Sequence, residues 1–440
     1  MVLLLDIVVR NNVWIRSSRG GGILSLDAAL AWIGGAEDVV FADLAALVGF
    51  DTSYPPGGQY PELMGWAAAR LAGLGYVSRL VEVPQGLWDV HGAGAVGARV
   101  NLVAERAGAE QAGVAAEVGI YAHVDVVPAG DGWSTPPFVL TRRGEFLHGR
   151  GAADMKGAAA AMLLALDAAH RFGVAIMPAR VLLCTDEEGG AYPGIRYLAE
   201  QGLVPEHLVC LDGGTTPRRW LGAFGSLEVL IEVEGQAGHA GQHGSGENAL
   251  ELAVPMLAAL MGLKAEMEGR ESALVGRDGA RLRPILAVTV CQAGVKANSV
   301  PASCKIALNR RYMPEEDDAG VLAEIRGVLG AAVAPGTRWS MHVTGHLAAV
   351  EGADRGPHVS RFVACMREGF GLPEDQARAW GATSSSDMGW VQRARPLGAS
   401  REILIAGAIG PDSRVHAADE RVRMGDVLGC ARGLLLYLAG

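Results

Sequence analysis

Two hydrophobic patterns divide the chain into segments with different predicted architectures. Before about residue 221 and again after about residue 350, short apolar runs alternate with helical periodicity, which is typical of a mixed α/β sheet flanked by helices. The predicted strands of these segments are Ser78–Val83, Ala98–Ala104, Val118–Val124, Arg180–Cys184, Leu208–Leu211 and Ile403–Ala408. The predicted helices are Asp38–Val48, Leu63–Leu74, Ala158–His170, His358–Phe370 and Met424–Leu438.

Residues 222–349 have a different pattern. Ser226–Glu234 alternates polar and apolar residues, as a strand with one exposed face does. The elements that follow are predicted as helix Asn248–Met267, strand Pro284–Gln292, strand Ser303–Tyr312, helix Glu315–Val333 and strand Trp339–Thr344. This β-α-β-β-α-β order is that of a ferredoxin-like unit. We therefore predict that residues 37–221 and 350–440 form one α/β domain, into which residues 222–349 are inserted.

The first 36 residues show no clear period and contain a glycine run. We predict an N-terminal extension of uncertain nature, either a disordered leader or residues added by the choice of start site. Its early apolar run contains Asp6 and has no basic region before it, which argues against a secretory signal.

Composition restricts the class of protein. Half of the 440 residues are hydrophobic and a fifth are charged, as in soluble globular proteins of two or three domains. The formal net charge of −10 argues against a nucleic-acid partner held by phosphate contacts. Since no apolar stretch reaches the roughly 18 residues of a membrane helix, we expect no membrane partner. The six scattered cysteines include no CxxC pair, which predicts buried thiols in a reducing cytoplasm.

Candidate chemistry is concentrated in residues 119–157. His123 and Asp125 lie at the carboxyl end of a predicted strand, and residues two apart on a strand face the same side. A carboxylate behind a histidine is common around a bound metal, although an HxD tripeptide alone can also be a surface feature without a role. Asp154 follows a flexible Gly-Arg-Gly turn and precedes a predicted helix, where an anion is stabilised.

Two further predicted strands end in acidic residues. Glu187 and Glu188 follow one strand, and Asp212 follows the next. Any one of these acids could be a helix N-cap or a turn residue. Because ligands bind at the carboxyl ends of strands in open α/β sheets, three strands that deliver His123 and these acids to one edge favour a ligand site.

The candidate metal ligands are two imidazoles and three carboxylates, His123, Asp154, Glu188, Asp212 and His416. Zn²⁺ takes nitrogen and oxygen ligands, and an open coordination position makes such a site catalytic. If one carboxylate is shared, five ligands can serve two ions, which polarise a carbonyl and lower the pKa of a bridging water. Glu187 is not needed as a ligand and is then the natural general base.

The chain resembles the metal-dependent amidohydrolases and peptidases that include acetylornithine deacetylase, succinyl-diaminopimelate desuccinylase, aminoacylase and carboxypeptidase G. The resemblance covers roughly residues 38–440 and rests on the series HVDVVPAGDGWSTPPF, GRGAADMKG, TDEEGG, LDGG and VHAADE. It implies a zinc-exopeptidase-like catalytic domain with an inserted lid and dimerisation domain. It also implies two Zn²⁺ ions per subunit, for which Co²⁺ or Mn²⁺ could substitute.

The resemblance assigns the five ligands to the two ions. Asp154 would bridge them, His123 and Asp212 would bind one ion, and Glu188 and His416 would bind the other.

Further roles follow from the same resemblance. Asp125 would orient the ligating histidine, Glu187 would be the acid/base residue, and the Asp154–Met155 peptide bond would be cis. The position of Asp212 is glutamate in many deacylases of the family and aspartate in many of its aminopeptidases and dipeptidases, so the reaction subtype stays open.

The inserted segment carries two more resemblances. EGQAGHAGQHGSGENA is similar to the family's dimer-contact motif, which implies a homodimer in which His239 donates to the scissile carbonyl, often in the partner's site. The alternative is a histidine in a glycine-rich turn, as we expect for His243. KANSVPASCKIALNRRYMPEE is similar to the family's substrate-carboxylate region and implies Asn298 and Arg311 as binding residues.

Arg311 has an alternative partner in Glu315 or Glu316 on the surface of the lid, and its neighbour Arg310 is predicted to be exposed. The loop GATSSSDMG resembles the family's small-residue loop near the substrate carboxylate. This adds three candidate substrate-binding residues, Ser385, Ser386 and Asp387.

The predicted activity is hydrolysis of the amide bond of an N-acylated amino acid or a related small molecule with a free carboxylate, by a cytoplasmic homodimer. The enzyme alternative is a dipeptidase or aminopeptidase of the same family. The alternative from another class is a catalytically silent binding module, which the presence of all five ligands and Glu187 disfavours.

Overall fold

The computed structural model describes residues 25–109, 113–373 and 378–440. The strands are, in chain order, β1 (Tyr76–Val83), β2 (Arg99–Arg106), β3 (Val118–His123), β4 (Thr141–Arg143), β5 (Phe146–His148), β6 (Ala179–Cys184), β7 (His207–Cys210), β8 (Arg218–Ala223), β9 (Gly225–Glu234), β10 (Gly238–His239), β11 (Ile285–Ala293), β12 (Ser299–Val300), β13 (Ser303–Tyr312), β14 (Arg338–Leu347), β15 (Val350–Glu351), β16 (Arg378–Ala382), β17 (Leu404–Ile405) and β18 (Arg421–Arg423). The helices are α1 (Leu26–Gly34), α2 (Glu37–Val48), α3 (Tyr60–Ala72), α4 (Gln85–Trp88), α5 (Gly157–Phe172), α6 (Gly194–Glu200), α7 (Ala249–Met267), α8 (Asp318–Ala332), α9 (Val359–Gly369), α10 (Met388–Ala394) and α11 (Met424–Ala439).

A six-stranded central sheet combines five strands that precede the inserted segment with β17, which follows it, in the order β1-β2-β6-β3-β7-β17. β3 runs parallel to β6 and β7, and β17 runs parallel to β7, whereas β1 with β2 and β2 with β6 pair antiparallel. The predicted mixed α/β sheet is therefore confirmed. The carboxyl ends of β3, β6 and β7 meet at one edge, which is where the predicted ligands follow these strands.

Helix α5 is buried along nearly its whole length beside this sheet. Its sequence, GAAAAMLLALDAAHRF, is rich in alanine, and small side chains allow α1, α2 and α11 to pack against it. Gly173 ends the helix with a left-handed backbone conformation, φ 61°, which glycine adopts without steric cost.

The first domain begins earlier in the chain than the sequence indicates. Helix α1 packs against α5 and α11, and its Ala29 and Ile33 are fully buried in the core. This differs from the predicted extension, which reached residue 36, because the period of one nine-residue helix is too short to recognise without its packing partners. The prediction for residues 1–24 lies outside the described residues.

The inserted segment forms a second, four-stranded antiparallel sheet in the order β11-β13-β9-β14. Its main elements follow the predicted order β9, α7, β11, β13, α8, β14. Alternate residues of β9, such as Val229 and Ile231, are buried with apolar residues of α7 and α8. The residues between them therefore lie on the opposite face of the sheet.

Several short elements were not predicted. β8, β15 and β16 form a three-stranded sheet, and β4, β5 and β18 form another. β4, β5, β15 and β18 have only two or three residues, which carry no usable alternation. β8 and β16 are longer, with six and five residues, and were missed. Conversely, the predicted strand at 403–408 contracts to β17, which pairs with β7 over two residues.

All six cysteines are free thiols. Cys184, Cys210, Cys304 and Cys430 are buried, as predicted, but Cys291 is exposed and Cys365 is partly exposed. Within the described ranges, no helix combines the length and the apolar character needed to cross a membrane.

Candidate metal centre

His123 ends a strand, β3, that is buried over its whole length. Its Nδ1 lies 3.1 Å from the backbone oxygen of Asp125, a contact in which the ring nitrogen donates. The Asp125 carboxylate is farther from Nδ1, at 3.6 Å, and its other oxygen accepts the backbone N–H of Glu188 at 2.8 Å. The ring is therefore oriented mainly by the Asp125 backbone, while the Asp125 side chain connects two neighbouring loops.

The other ring nitrogen, His123 Nε2, is buried and has no hydrogen-bond partner. An unpaired buried nitrogen with a free lone pair is costly unless it binds something. It points toward Asp154, whose Oδ1 lies 3.4 Å away.

Asp154 lies in an irregular turn, Ala152–Lys156, directly before α5. Gly151 begins the turn with φ 79°, and an added Cβ would lie 2.4 Å from Val126 Cγ1, so this position needs glycine. The Asp154–Met155 peptide bond is cis, as the resemblance implies.

The turn is held by a residue that the sequence did not single out. The Glu420 carboxylate, 1% exposed, accepts the backbone N–H groups of Gly151, Ala153 and Asp154 at 3.1, 2.9 and 3.0 Å. It also accepts a bond from Arg150 Nη1 at 2.6 Å. Only its place within the quoted VHAADE segment could have indicated a role.

The five predicted ligands form two groups that share Asp154. His123, Asp154 and Asp212 make one group, and Asp154, Glu188 and His416 make the other, with the ligand atoms of each within 4.8 Å of one another. His416 Nε2 lies 3.4 Å from Asp154 Oδ2 and 3.1 Å from Glu188 Oε2.

The two 3.4 Å separations between Asp154 and the histidines suit a shared ion better than direct hydrogen bonds. Typical N–H···O distances are roughly 2.7 to 3.2 Å. Two atoms that each lie about 2.1 Å from one tetrahedral ion are roughly 3.4 Å apart, the distance from Asp154 to each histidine. The donor set therefore fits divalent metal ions at two ligand groups that share Asp154.

The charge of the site also fits a cation. Burial, with repulsion from Asp154, raises the pKa of Glu188 to about 7 and that of Asp212 to about 6. Burial and the nearby Asp212 raise the pKa of Glu187 well above its usual range. Such crowding of carboxylates is relieved by positive charge.

The two histidines stabilise the ionised form of Asp154, whereas the neighbouring carboxylates destabilise one another's ionised forms. Burial opposes ionisation of this carboxyl, but the contacts with His123 and His416 hold its pKa below the usual value. The contacts with Asp154 and Glu188 raise the pKa of His416 to about 10.

A cavity of about 570 Å³ opens over this site, between the central sheet and the inserted sheet. Glu187, Glu188, Asp154, Asp212 and His416 line one side. The inserted segment and the loops beside it add residues that can contact a ligand, Arg218, Glu228, Arg311, His346, Ser384, Ser385 and Ser386.

Arg311 faces the cavity, and its Nη1 donates to Ser385 Oγ at 2.6 Å. Neither Glu315 nor Glu316, the alternative partners, pairs with Arg311. Glu316 accepts from Arg310 Nη2 at 2.6 Å, and Glu315 accepts from Ser272 Oγ at 3.0 Å.

The prediction that Arg310 is exposed is wrong, since the residue is fully buried. Strand β13 alternates faces, and Arg310 lies on the side that packs against the helices, together with Leu308 and Tyr312. There Arg310 forms an ion pair with Glu316, which was one of the two alternative partners predicted for Arg311.

His123 and Asp125 lie buried beneath the cavity wall, and three predicted residues of the inserted segment and the substrate loop also do not line the cavity of the single chain. His239 and Asn298 are exposed at the short β10–β12 ladder, where Ala240 donates its N–H to the Asn298 carbonyl at 3.2 Å. Asp387 is fully buried and accepts a hydrogen bond from Tyr121 Oη at 2.5 Å. Its side chain therefore stabilises the loop and does not face the cavity. Burial raises its pKa to about 7.

A second buried ion pair positions the loop that carries Glu187. Asp186 accepts from Arg99 Nε at 2.8 Å and from Tyr60 Oη at 2.8 Å, and Trp88 lies against the guanidinium at 4.3 Å. Asp186 stands in the TDEEGG motif, but its partners Arg99 and Tyr60 are distant in the sequence, so this support could not be predicted from the motif.

The profile of the peptidase family M20/M25/M40 matches residues 119–439. The chain belongs to this family. It is therefore a metal-dependent hydrolase. Family membership agrees with the resemblance carried by the motifs, and the fold is the α/β fold of the M20 peptidases.

Two desuccinylases are similar in sequence to this M20-family chain over most of their length. Succinyl-diaminopimelate desuccinylase from Xanthomonas oryzae pv. oryzae (strain MAFF 311018) is 32% identical over 382 residues, or 82% of this chain and 88% of that protein. The desuccinylase from Acidiphilium cryptum (strain JF-5) is 32% identical over 346 residues, or 75% of this chain and 83% of that protein.

Solved structures show the shared fold. Human carnosine dipeptidase 1 superposes with a TM-score of 0.74 at 18% identity and covers 94% of this chain and 99% of its own. The di-peptidase Dug1p from Saccharomyces cerevisiae gives 0.74 at 15% identity, with 95% and 98% covered.

Proposed function

We propose that this M20-family hydrolase uses two Zn²⁺ ions to remove the acyl group from an N-acylated amino acid or a related small molecule with a free carboxylate. The observation that carries the proposal is Asp154, which belongs to two ligand groups at once beside a free carboxylate, Glu187, at the wall of a cavity.

The ligands divide into two sets of three. His123, Asp154 and Asp212 would hold one ion, and Asp154, Glu188 and His416 the other. When bound, such ions polarise the scissile carbonyl and make a water molecule acidic.

Glu187 is the general base and general acid of the proposed reaction. It lines the cavity, is 7% exposed, and belongs to neither ligand group. Its carboxylate accepts the proton of the attacking water and delivers it to the departing amine nitrogen. The pKa of Glu187, raised by burial and by Asp212, favours holding that proton between the two steps.

Two arginines at the cavity wall support a substrate with more than one carboxylate. Arg311, with Ser385, offers a fork of donors for the carboxylate of the amino acid part. Arg218 lines the same cavity, and although burial lowers its pKa to about 10, it stays cationic at neutral pH. An acyl group with its own carboxylate, such as succinyl, would use this second cation, in agreement with the names of the 32% identical relatives.

We also propose a homodimer in the cytoplasm. His239 is exposed and outside the cavity of its own chain, which is expected if it acts in a partner's site. Helix α7 exposes Leu250, Val254 and Met261 by 40, 56 and 45%, at spacings that place them along one face. Burying this apolar stripe between two copies would remove it from water. The free thiols fit a reducing compartment.

A dipeptidase is the second candidate, and Glu228 is the observation that favours it. Its carboxylate lines the cavity on the side of the inserted sheet and could pair with the ammonium group of a dipeptide. Asp212, rather than glutamate, at the metal edge agrees with this reading.

The experiment is metal analysis combined with hydrolysis of a panel of N-succinyl, N-acetyl and N-benzoyl amino acids and dipeptides. Metal-dependent cleavage of the succinyl compounds supports the first proposal. Cleavage of dipeptides alone would favour the second candidate function, a dipeptidase. Bound metal without turnover of any compound would favour a silent binding module.

A further inference from the structure

A second group of metal-ligand side chains lies away from the cavity, on the face of the inserted sheet opposite α7 and α8. The loop between β1 and β2 crosses this face. Its Gly92, with φ 83°, packs so closely that an added Cβ would lie 2.5 Å from Leu230 Cδ2 and 3.5 Å from Thr344 Cγ2. Gly92 therefore lies close to side chains of β9 and β14.

Three side chains converge at this contact. His91 comes from the loop, Glu232 from β9 and His342 from β14. His91 Nε2 lies 2.8 Å from Glu232 Oε2, and His342 Nε2 lies 4.0 Å from the same oxygen. The two imidazole rings are 4.8 Å apart, tilted by 60°. One ligand atom of each residue lies within 4.8 Å of the others.

We propose that His91, Glu232 and His342 form a third divalent-metal site, of the class that Zn²⁺ occupies. Two imidazole nitrogens and one carboxylate oxygen are a zinc donor set, and the solvent-accessible position of the group leaves room for water as a further ligand. Binding a common ion would require the His342 imidazole to approach the Glu232 oxygen, from which it lies 4.0 Å.

The neighbouring side chains of Glu232 and His342 determine which contacts a bound ion would keep and which it would replace. Lys305 Nζ contacts the other Glu232 oxygen, Oε1, at 2.9 Å, which leaves Oε2 directed toward the imidazoles. His342 Nε2 contacts Ser340 Oγ at 3.0 Å and would give up that bond. Contacts with Lys305 and then His91 hold the pKa of Glu232 below its usual value, so the carboxylate is ionised and able to bind at neutral pH.

The site would connect the two parts of the molecule. His91 belongs to a loop between two strands of the central sheet, whereas Glu232 and His342 belong to the inserted sheet. Because the cavity lies between these two sheets, a bound ion would restrict how the inserted unit moves relative to the catalytic edge. This site is independent of the ligands proposed for the reaction.

The test is metal stoichiometry by equilibrium dialysis of tag-free protein against Zn²⁺. His91→Ala and His342→Ala should each bind one equivalent fewer than the unsubstituted protein at the same free Zn²⁺ concentration. His243→Ala, an exposed histidine outside the group, should bind as much as the unsubstituted protein. Since the readout is a difference, it does not depend on how fully the catalytic ligands are occupied or on whether the proposed reaction is right.

Lys305→Gln provides a variant with the opposite expected effect. Removing this cation releases Glu232 and lowers the repulsion of a divalent ion, so the third equivalent should bind more tightly. Equal stoichiometry in unsubstituted protein, His91→Ala and His342→Ala would overturn the proposal and leave an ordinary surface hydrogen bond. A loss that His243→Ala shares would also overturn it, because it would show nonspecific binding to histidines.

Discussion

The Glu420 carboxylate accepts the backbone N–H of Asp154 at 3.0 Å, although the two residues are 266 positions apart in the chain. Glu420 also pairs with Arg150 in a nearly solvent-free environment, where each side chain is 1% exposed. The residue that both ligand groups share is therefore positioned by a distant acid.

Glu420→Gln should lower the free energy of unfolding by about 3 to 5 kcal/mol, because it leaves the Arg150 charge buried without its partner. Metal content should fall with it, as the turn that carries Asp154 loosens. Thermal unfolding and metal analysis measure the two effects. Glu351→Gln is the matched control, since it removes an exposed pair with Arg401 and should change stability by less than about 1 kcal/mol. A Glu420→Gln protein as stable and as metal-rich as the control would contradict the positioning role.

Glu187→Gln should keep the metal and lose turnover. The amide preserves the shape of the side chain but cannot shuttle a proton, and a positioned acid/base contributes roughly 10²- to 10⁴-fold. Steady-state kcat and metal content, measured on the same preparation, separate loss of the proton shuttle from loss of metal. A variant within about threefold of the unsubstituted rate would remove Glu187 from the mechanism.

Arg311→Ala should reduce kcat/KM by about 1.5 to 3 kcal/mol on a substrate with a free carboxylate, as expected for a hydrogen bond to a charged group. The same substitution should matter little when that carboxylate is amidated. Arg283→Ala, a largely exposed arginine of the inserted segment, is the control and should leave both substrates unaffected. Equal losses on the two substrates would mean that Arg311 supports the structure instead of binding the acid.

Arg218→Ala should discriminate between acyl groups. If Arg218 binds a carboxylate on the acyl side, the substitution should lower kcat/KM for an N-succinyl substrate by about 1.5 to 3 kcal/mol and leave the N-acetyl analogue nearly unchanged. The measurement is kcat/KM for both compounds with both proteins. A uniform loss would point to an effect through the neighbouring Asp212, which contributes to one ligand group.

Mixing two inactive proteins tests whether His239 acts across a dimer. In a heterodimer of Glu187→Gln and His239→Ala chains, one of the two sites would contain both native residues, so random exchange should restore about a quarter of the activity. His243→Ala, in the same loop, should be active without mixing. Absence of recovery after verified subunit exchange would rule out the shared site.

The local pattern of the chain was enough to predict the candidate ligands and the edge where they meet. His123, the Glu187 and Glu188 pair and Asp212 each follow an apolar run, and a buried strand in an α/β sheet delivers the residues after it to the carboxyl edge wherever the strand lies in the order. The spacing of turn and helix likewise placed Asp154 at the start of α5. Such features depend on a few consecutive residues, which is why the sequence alone determined them.

The tertiary structure decided how charges were paired. The buried face of β13 packs with apolar residues of α7 and α8, and only the folded chain shows that Arg310, on this face, pairs with Glu316 and leaves Arg311 free for the cavity. Glu420 beneath Asp154 and the burial of Asp387 depend in the same way on segments that are distant in sequence. The local sequence around a charged residue does not show which residue it pairs with, because that partner is brought close by long-range packing. A buried charge without a partner is too costly to keep, so charges inside proteins are paired.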